Sequence, residues 1–176
     1  MVRYRRNLLP GGTFFFTITL EDRRSSALDH ADKLRGAFRV ARAERPFTID
    51  AIVILPDHLH IIMTLPEGDS DFSGRWRRIK SLFTHRPAAS GASLSRNHRG
   101  EFAIWQRRFW EHTVSNETDF ERCADYIHYN PVKHGLVASP TDWPYSSLHR
   151  YVRTGLLPAD SGGAAEINGN FGERGD

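Results

Sequence analysis

The order in which strand-like and helix-like segments follow one another constrains this chain more than any other feature. Thr13-Phe-Phe-Phe-Thr-Ile-Thr-Leu20, behind the turn signal Pro10-Gly11-Gly12, is β-branched and aromatic and reads as a strand. From Leu28 to Glu44 apolar residues recur at helical spacing, with Leu34, Ala37, Phe38 and Ala41 on one face, and Arg45-Pro46 closes the segment. Phe47–Leu55 and His58–Leu65 are two further strands joined by the tight turn Pro56-Asp57. Phe72–Phe83 gives a short basic helix, and Arg108–Val114 a fourth strand. The segment Ser115–Asp119 supplies cap residues for a helix through Asn130. Pro131 is expected to end or kink that helix, because the residue before a proline avoids the helical region. A turn-bearing stretch from Asp142 to Ser147 leads to a last short helix.

Strand, helix, strand, strand, helix, strand is the split βαβ arrangement, so the expected class is α+β, a ferredoxin-like core with a mainly antiparallel sheet and a C-terminal tyrosine-bearing helix. With 176 residues, 39% of them hydrophobic, residues 1–157 form one domain. Residues 158–176 read as a flexible, Gly-rich acidic tail with little to bury. A single cysteine, Cys123, excludes an internal disulfide and a multi-cysteine zinc site. Thr13–Leu20 is too short to span a bilayer, and the basic start carries no apolar run of signal-peptide length. A soluble, cytoplasmic protein with no membrane partner is expected.

The net charge of +3 hides an uneven distribution. All but Lys33, Lys80 and Lys133 of the 24 Lys and Arg residues are arginine, whose planar fork suits phosphate. Between Arg75 and Arg108 nine basic residues face a single acid, Glu101, whereas the tail holds four acids and one base. An anionic partner follows, of no particular kind.

Two local patterns carry chemistry. His58 and His60 flank Leu59 in a strand, so a period of two points both imidazoles to one face, while Leu59, Ile61, Met63 and Leu65 line the other. Two neutral imidazoles side by side suit a divalent metal, although such pairs also occur as ordinary core and surface residues. Tyr126 and Asn130, at i and i+4, share a helix face. A phenol is a weak nucleophile near neutral pH, but becomes useful where a metal polarises a phosphate. Aromatics at helical spacing equally well fill a core.

Taken together and in order, Leu55-Pro56-Asp57-His58-Leu59-His60, Trp105-Gln106-Arg107-Arg108-Phe109-Trp110-Glu111-His112 and Tyr126-Ile127-His128-Tyr129-Asn130-Pro131-Val132-Lys133 resemble the single-tyrosine HUH transposases, in their REP-associated tyrosine transposase branch. The resemblance spans roughly Val2 to Val152. It implies a ferredoxin-like core that cuts and rejoins single-stranded DNA at REP-type hairpins through a 5′-phosphotyrosine. His58 and His60 match the metal motif for Mg²⁺ or Mn²⁺, and Tyr126 matches the nucleophile. Asn130 stands where insertion-sequence relatives commonly carry Gln as a third ligand, one methylene longer. Tyr129, the nearest rival nucleophile, does not share a face with Asn130.

On that reading the arginine-rich stretches contact DNA: Arg3, Arg5 and Arg6 as an N-terminal arm with Tyr4, then Arg75, Arg77, Arg78 and Lys80 around Trp76, then Arg107, Arg108 and Lys133, with aromatics stacking on unpaired bases. Glu111 and His112 either support the metal site or hold structural hydrogen bonds. The tail could cover or uncover the site. A monomer is expected over a homodimer, since the polar tail after Pro158 offers no pairing surface. Two other functions fit the same residues: a non-cleaving structured DNA- or RNA-binding protein domesticated from a transposase, and a metal hydrolase without a covalent step.

Overall fold

The computed structural model describes residues 7–21, 26–85, 104–158 and 171–173. Strand β1, Thr13–Thr19, leads through a single 3-10 turn at Leu28–His30 into helix α1, Ala31–Glu44. Strands β2, Thr48–Ile54, and β3, His58–Thr64, precede helix α2, Phe72–His85. Strand β4, Trp110–Thr113, is followed by helix α3, Glu117–Lys133, a 3-10 turn at Pro140–Asp142, and helix α4, Leu148–Arg153.

The four strands form one antiparallel sheet in the order β2-β3-β1-β4, with β3 inserted between β1 and β2 as the split βαβ arrangement requires. Helices α1 and α2 cover one face. There Phe14, Phe16 and Ile18 of β1 and Leu59, Ile61 and Met63 of β3 pack against Leu34 and Phe38 of α1 and Phe72, Trp76, Ile79 and Phe83 of α2. Helix α3 covers the other face, where Phe15, Ala51, Val53 and Ile62 meet Cys123, Tyr126 and Ile127. Strand β1 is therefore buried on both sides, which explains its unbroken apolar run. Each fully buried Phe contributes about 1.5–3 kcal/mol.

The free edge of β2 is closed by the chain just before α4. Ser146 bridges Val53, Ile54 N–H donates to Tyr145 O at 2.9 Å, and Ser147 N–H donates to Ile52 O at 2.8 Å. A β-bulge between Ile49 and Ala51 turns the Ile49 and Asp50 carbonyls outward, and the Arg150 guanidinium donates to both.

Helix α3 starts where its cap residues placed it: Asn116 Oδ1 accepts the Asp119 N–H at 2.9 Å. Its end corrects the expectation of a helix only through Asn130. The helix continues through Pro131 to Lys133, and His134 N–H still donates to Asn130 O at 3.0 Å. A proline this near a C-terminus removes one intrahelical bond, and burial of its ring against the domain offsets that loss. Gly135, at φ +65°, then turns the chain away. The extension matters because it carries Lys133 onto the face of Tyr126 and Asn130. Among the described residues no helix is long and apolar enough to cross a membrane.

Candidate active site

The pleat of β3 turns His58 and His60 to the α3 side, with ring centroids 4.8 Å apart. Across the interface α3 presents Tyr126, Asn130 and Lys133 at i, i+4 and i+7. The Tyr126 ring lies 5.2 Å from the His60 ring, centroid to centroid. His134, just past the helix, brings a third imidazole within 5.2 Å of His58. The two blocks, 66 positions apart from His60 to Tyr126, meet because α3 packs directly over β2 and β3.

Hydrogen bonds fix how each histidine faces this centre. His58 Nδ1 lies 2.7 Å from Asp57 Oδ1, so it donates there and its Nε2 is left as the lone-pair nitrogen. His60 Nδ1 lies 2.8 Å from Thr17 Oγ1. The single Thr17 hydroxyl proton is committed to Phe171 O at 2.6 Å, so His60 Nδ1 is the donor and its Nε2 also faces the centre. An outer oxygen holding Nδ1 with Nε2 turned inward is the usual arrangement of a metal-ligating histidine. Burial, the largest influence, lowers the His60 pKa to about 4, keeping it neutral. Burial also works against charge on His58, but Asp57 and Glu173 outweigh it and hold its pKa above the ordinary value.

The centre itself is filled by the tail. Glu173 Oε1 lies 2.9 Å from His60 Nε2, accepts from Asn130 Nδ2 at 2.8 Å, and lies 3.4 Å from His134 Nε2. Glu173 Oε2 pairs with Lys133. Burial opposes ionisation of this carboxyl, yet His134, His58, His60 and Lys133 together hold its pKa well below the usual range. A neutral His60 turns a lone pair toward that oxygen, a poor contact that a proton or a shared cation would relieve. Two residues earlier, Phe171 stacks on Tyr126, with ring centroids 3.6 Å apart and planes 11° from parallel. Between them Gly172, at φ +74°, runs so close to Trp110 that a Cβ would overlap the indole.

Tyr126 is consequently 3% exposed. Burial first, and Glu173 second, push its phenol pKa above the ordinary value. Lys133 Nζ donates to the phenol oxygen at 2.9 Å and lies 4.7 Å from the ring centroid. Its charge favours a phenolate once the carboxylate is gone.

The donor set fits a divalent cation. His58 Nε2 and Asn130 Oδ1 are both buried without a hydrogen-bond partner, a costly state for polar atoms unless something else is meant to meet them. His58, His60 and Glu173 offer ligand atoms within 4.8 Å of one another. Two imidazoles with amide or carboxylate oxygens form a mixed nitrogen and oxygen set.

Of the residues singled out in the sequence, His58, His60, Tyr126, Asn130 and Lys133 therefore come together. Asp57, Thr17, His134, Phe171 and Glu173 were not anticipated at this site. Asp57 stood beside the histidine motif and could have been weighed. Thr17 comes from β1, and the register Thr17↔His60 has no local signature. The tail was expected to lack a packing partner, and Phe171, 4% exposed, corrects this for its own short segment. Glu111 pairs with Phe16, so the pleat turns it to the α1 and α2 face, away from the metal-type centre. His112 is on the α3 face but bonds Asp119 Oδ2 at 2.8 Å, a structural role at the start of α3.

The arginines expected to bind DNA divide sharply. Arg75 is 1% exposed and donates to Asp71 O, Pro46 O and Asp69 Oδ2, so it presents no surface to a phosphate. Trp76 is equally buried, against Phe16 and Phe38, and cannot stack on a base. Arg78 forms a two-bond pair with Glu44, and Lys80 donates to Gln106 O. Arg77, Arg107 and Arg108 are exposed. Arg3, Arg5 and Arg6, with Tyr4, lie outside the described residues, as does the expected loop from Pro87 to Gly100.

Comparison with known proteins agrees with this geometry. Residues 15–130 match the family described as "Transposase IS200 like". The chain is 49% identical over 164 residues to the REP-associated tyrosine transposase of Escherichia coli (strain K12), covering 93% of this chain and 92% of that one. A solved structure of a REP-associated tyrosine transposase bound to a REP hairpin superposes with a TM-score of 0.85 at 46% identity, covering 99% of this chain and 98% of that chain.

Proposed function

Because the chain belongs to the IS200-like transposase family, whose members are single-tyrosine HUH enzymes, we propose that it cuts and rejoins single-stranded DNA beside REP-type hairpins through a 5′-phosphotyrosine at Tyr126, using Mg²⁺ or Mn²⁺. The observation that carries this reading is the pair of histidines with Nδ1 held from behind and Nε2 facing the same point beside the Tyr126 phenol. The similarity to a chain solved on a REP hairpin supports the hairpin as the partner.

His58, His60 and Asn130 would hold the cation. When bound, it supplies Lewis-acid polarisation of the scissile phosphate. The protein's own residues do the rest. Phe171 and Glu173 leave first, because they cover the phenol and occupy the point on which the histidines converge. Departure of the carboxylate removes one cause of the raised Tyr126 pKa and leaves the Lys133 ammonium on the phenol oxygen. The phenol then gives up its proton to solvent and its oxygen attacks phosphorus in line. The P–O3′ bond breaks, and the departing 3′-oxygen takes up a proton to become a free hydroxyl. Rejoining is the reverse: a 3′-hydroxyl attacks the phosphotyrosine, the P–O(Tyr126) bond breaks, and the phenol regains its proton. The phosphodiester energy is kept in the covalent bond, so no nucleotide cofactor is required.

The test is a labelled hairpin DNA with a single-stranded flank, incubated with the full chain in Mn²⁺ or Mg²⁺. A covalent complex on a denaturing gel is expected from the parent and not from Tyr126→Phe, which still binds. The buried state of Tyr126 gives the non-cleaving alternative its one specific support. Tight binding with no adduct under any divalent ion would establish that alternative. Cleavage that survives Tyr126→Phe would instead mean hydrolysis without a covalent step.

A further inference from the structure

The strongest unassigned feature is a cleft on the far side of the sheet from Tyr126. It opens at the β2 edge between α1 and the segment leading into α4, and has a volume of about 420 Å³, inside the roughly 300–1,000 Å³ range of small-ligand sites. Its floor is aliphatic and aromatic, with Ile52, Phe38 and Tyr145 contributing, and its rim carries Arg35, Arg39, Arg42 and Arg150. All four arginines are exposed.

What these arginines are bonded to decides what the cleft can hold. The Arg42 Nε donates to Phe47 O at 3.0 Å, and Arg150 donates to the Ile49 and Asp50 carbonyls. Carbonyl partners fix a guanidinium in place while leaving its charge uncompensated. Arg39 has no partner among the described residues. Only Arg35 meets a carboxylate, Asp32 at 3.3 Å, in a pair open to solvent, where such contacts are worth little. Its guanidinium also lies 5.8 Å from the Tyr145 ring centroid. Two basic residues of α2 differ: Arg75 and Arg78 are bonded to Asp69 and Glu44. The cleft thus combines four positive groups and one acid with an aromatic ring beside an apolar floor. That is the chemistry of a site for a base and its phosphates, because arginine binds phosphate oxygens while aromatic and guanidinium planes stack on unpaired bases.

We propose that this cleft holds an unpaired nucleotide of the DNA substrate, with its base against Tyr145 and the aliphatic floor and its phosphates between Arg35, Arg39, Arg42 and Arg150. The proposal rests on the reading of the chain as a single-strand DNA enzyme and extends it, since the DNA would then contact both faces of the sheet and pass around the β2 edge.

The test uses the full chain with a fluorescent hairpin DNA whose single-stranded flank carries 5-iodouracil. Three variants are compared: Arg39→Glu and Tyr145→Leu in the cleft, and Arg153→Glu, the same charge reversal on α4 outside it. Arg39→Glu is expected to weaken binding about tenfold and to reduce the salt dependence by about one phosphate contact. Tyr145→Leu, which keeps an apolar side chain against the core but removes the ring, weakens binding of flanked DNA about tenfold and leaves a blunt duplex unaffected. Illumination is expected to crosslink the iodouracil to Tyr145, as read by peptide mass spectrometry. Equal losses from Arg39→Glu and Arg153→Glu, no loss from either cleft variant, or a crosslink confined to other peptides would overturn the proposal. The Tyr126 adduct is scored in the same samples. A parent adduct with unchanged binding by the cleft variants would defeat the cleft alone, whereas a parent that neither binds DNA nor forms an adduct defeats the underlying reading as well.

Discussion

The two faces of the sheet arrange their polar groups differently. On the α1 and α2 face the charged groups close on the protein itself: Arg75 ends on Asp69 and two carbonyls, and Arg78 on Glu44, around a core of Phe14, Phe16, Phe72 and Trp76 in which the Arg75 Nε and the Trp76 indole nitrogen stay unpartnered. On the α3 face His58 Nε2 and Asn130 Oδ1 are buried and unpartnered, His60 meets a carboxylate with the wrong nitrogen, and a tyrosine sits under another aromatic ring. The first face closes its charges on its own carboxylates and carbonyls, and the second gathers imidazoles, an amide and a lysine around one carboxylate. Unmet polar atoms in a native protein cost folding free energy, and the two beside Glu173, His58 Nε2 and Asn130 Oδ1, point to where something else is expected to bind.

The largest effects should separate the faces cleanly. Trp76→Ala should lower stability by about 3–5 kcal/mol, a cavity on the packed face, measured as a shift in urea midpoint. His60→Ala should reduce adduct formation by more than the roughly 10–100-fold typical of losing a metal's outer partner, with a much smaller change in midpoint. If His60→Ala lowers the urea midpoint as much as Trp76→Ala and leaves adduct formation by the folded fraction unchanged, the two faces are not specialised in this way.

Removing the cover is the next test. Deleting residues 158–176 should raise the adduct rate by about tenfold or more, since burying one Phe side chain contributes about 1.5–3 kcal/mol that DNA must otherwise overcome. A slower adduct after the deletion, reproduced by Glu173→Gln alone, would make Glu173 a ligand that the chemistry needs.

The smallest effect sharpens how α3 is anchored. Burial of Asp119 is outweighed by the Ser115 N–H, His112 and Arg122, which hold its pKa down to about 2. A depressed carboxyl contributes stability that is present above its ordinary value near 3.8 and is lost as pH falls through about 2. Asp119→Asn should therefore cost about 1–2 kcal/mol at pH 7, and the difference from the parent should shrink in denaturation series taken toward pH 2.

Periodicity revealed most of the frame and half of the site. The alternation in His58–Leu65 separated the imidazoles from Leu59, Ile61 and Met63, and the i, i+4 spacing put Tyr126 beside Asn130, because both patterns follow from backbone geometry alone. Charge density misled at α2. Arg78 is 34 positions from Glu44 and Arg75 reaches back to Pro46 O, so their partners could not be seen in a local count. The reverse error hid the α1 cleft, where Arg35, Arg39 and Arg42 look like an ordinary solvated face until α4 brings Arg150 and the preceding turn brings Tyr145 beside them. Thr17 and Glu173 were invisible for the same reason: a register and a returning tail are products of the whole fold.

The docked tail can also be described as a tethered competitor. Phe171 and Glu173 belong to the same chain as the site they fill, so their local concentration is set by that covalent connection and stays constant however dilute the protein becomes. A short oligonucleotide that offers only one phosphate to the histidines must compete against that fixed concentration and is at a disadvantage. A longer DNA held elsewhere on the surface becomes tethered too, and meets the tail on equal terms. Fragment length, more than fragment concentration, would then decide which strands reach Tyr126.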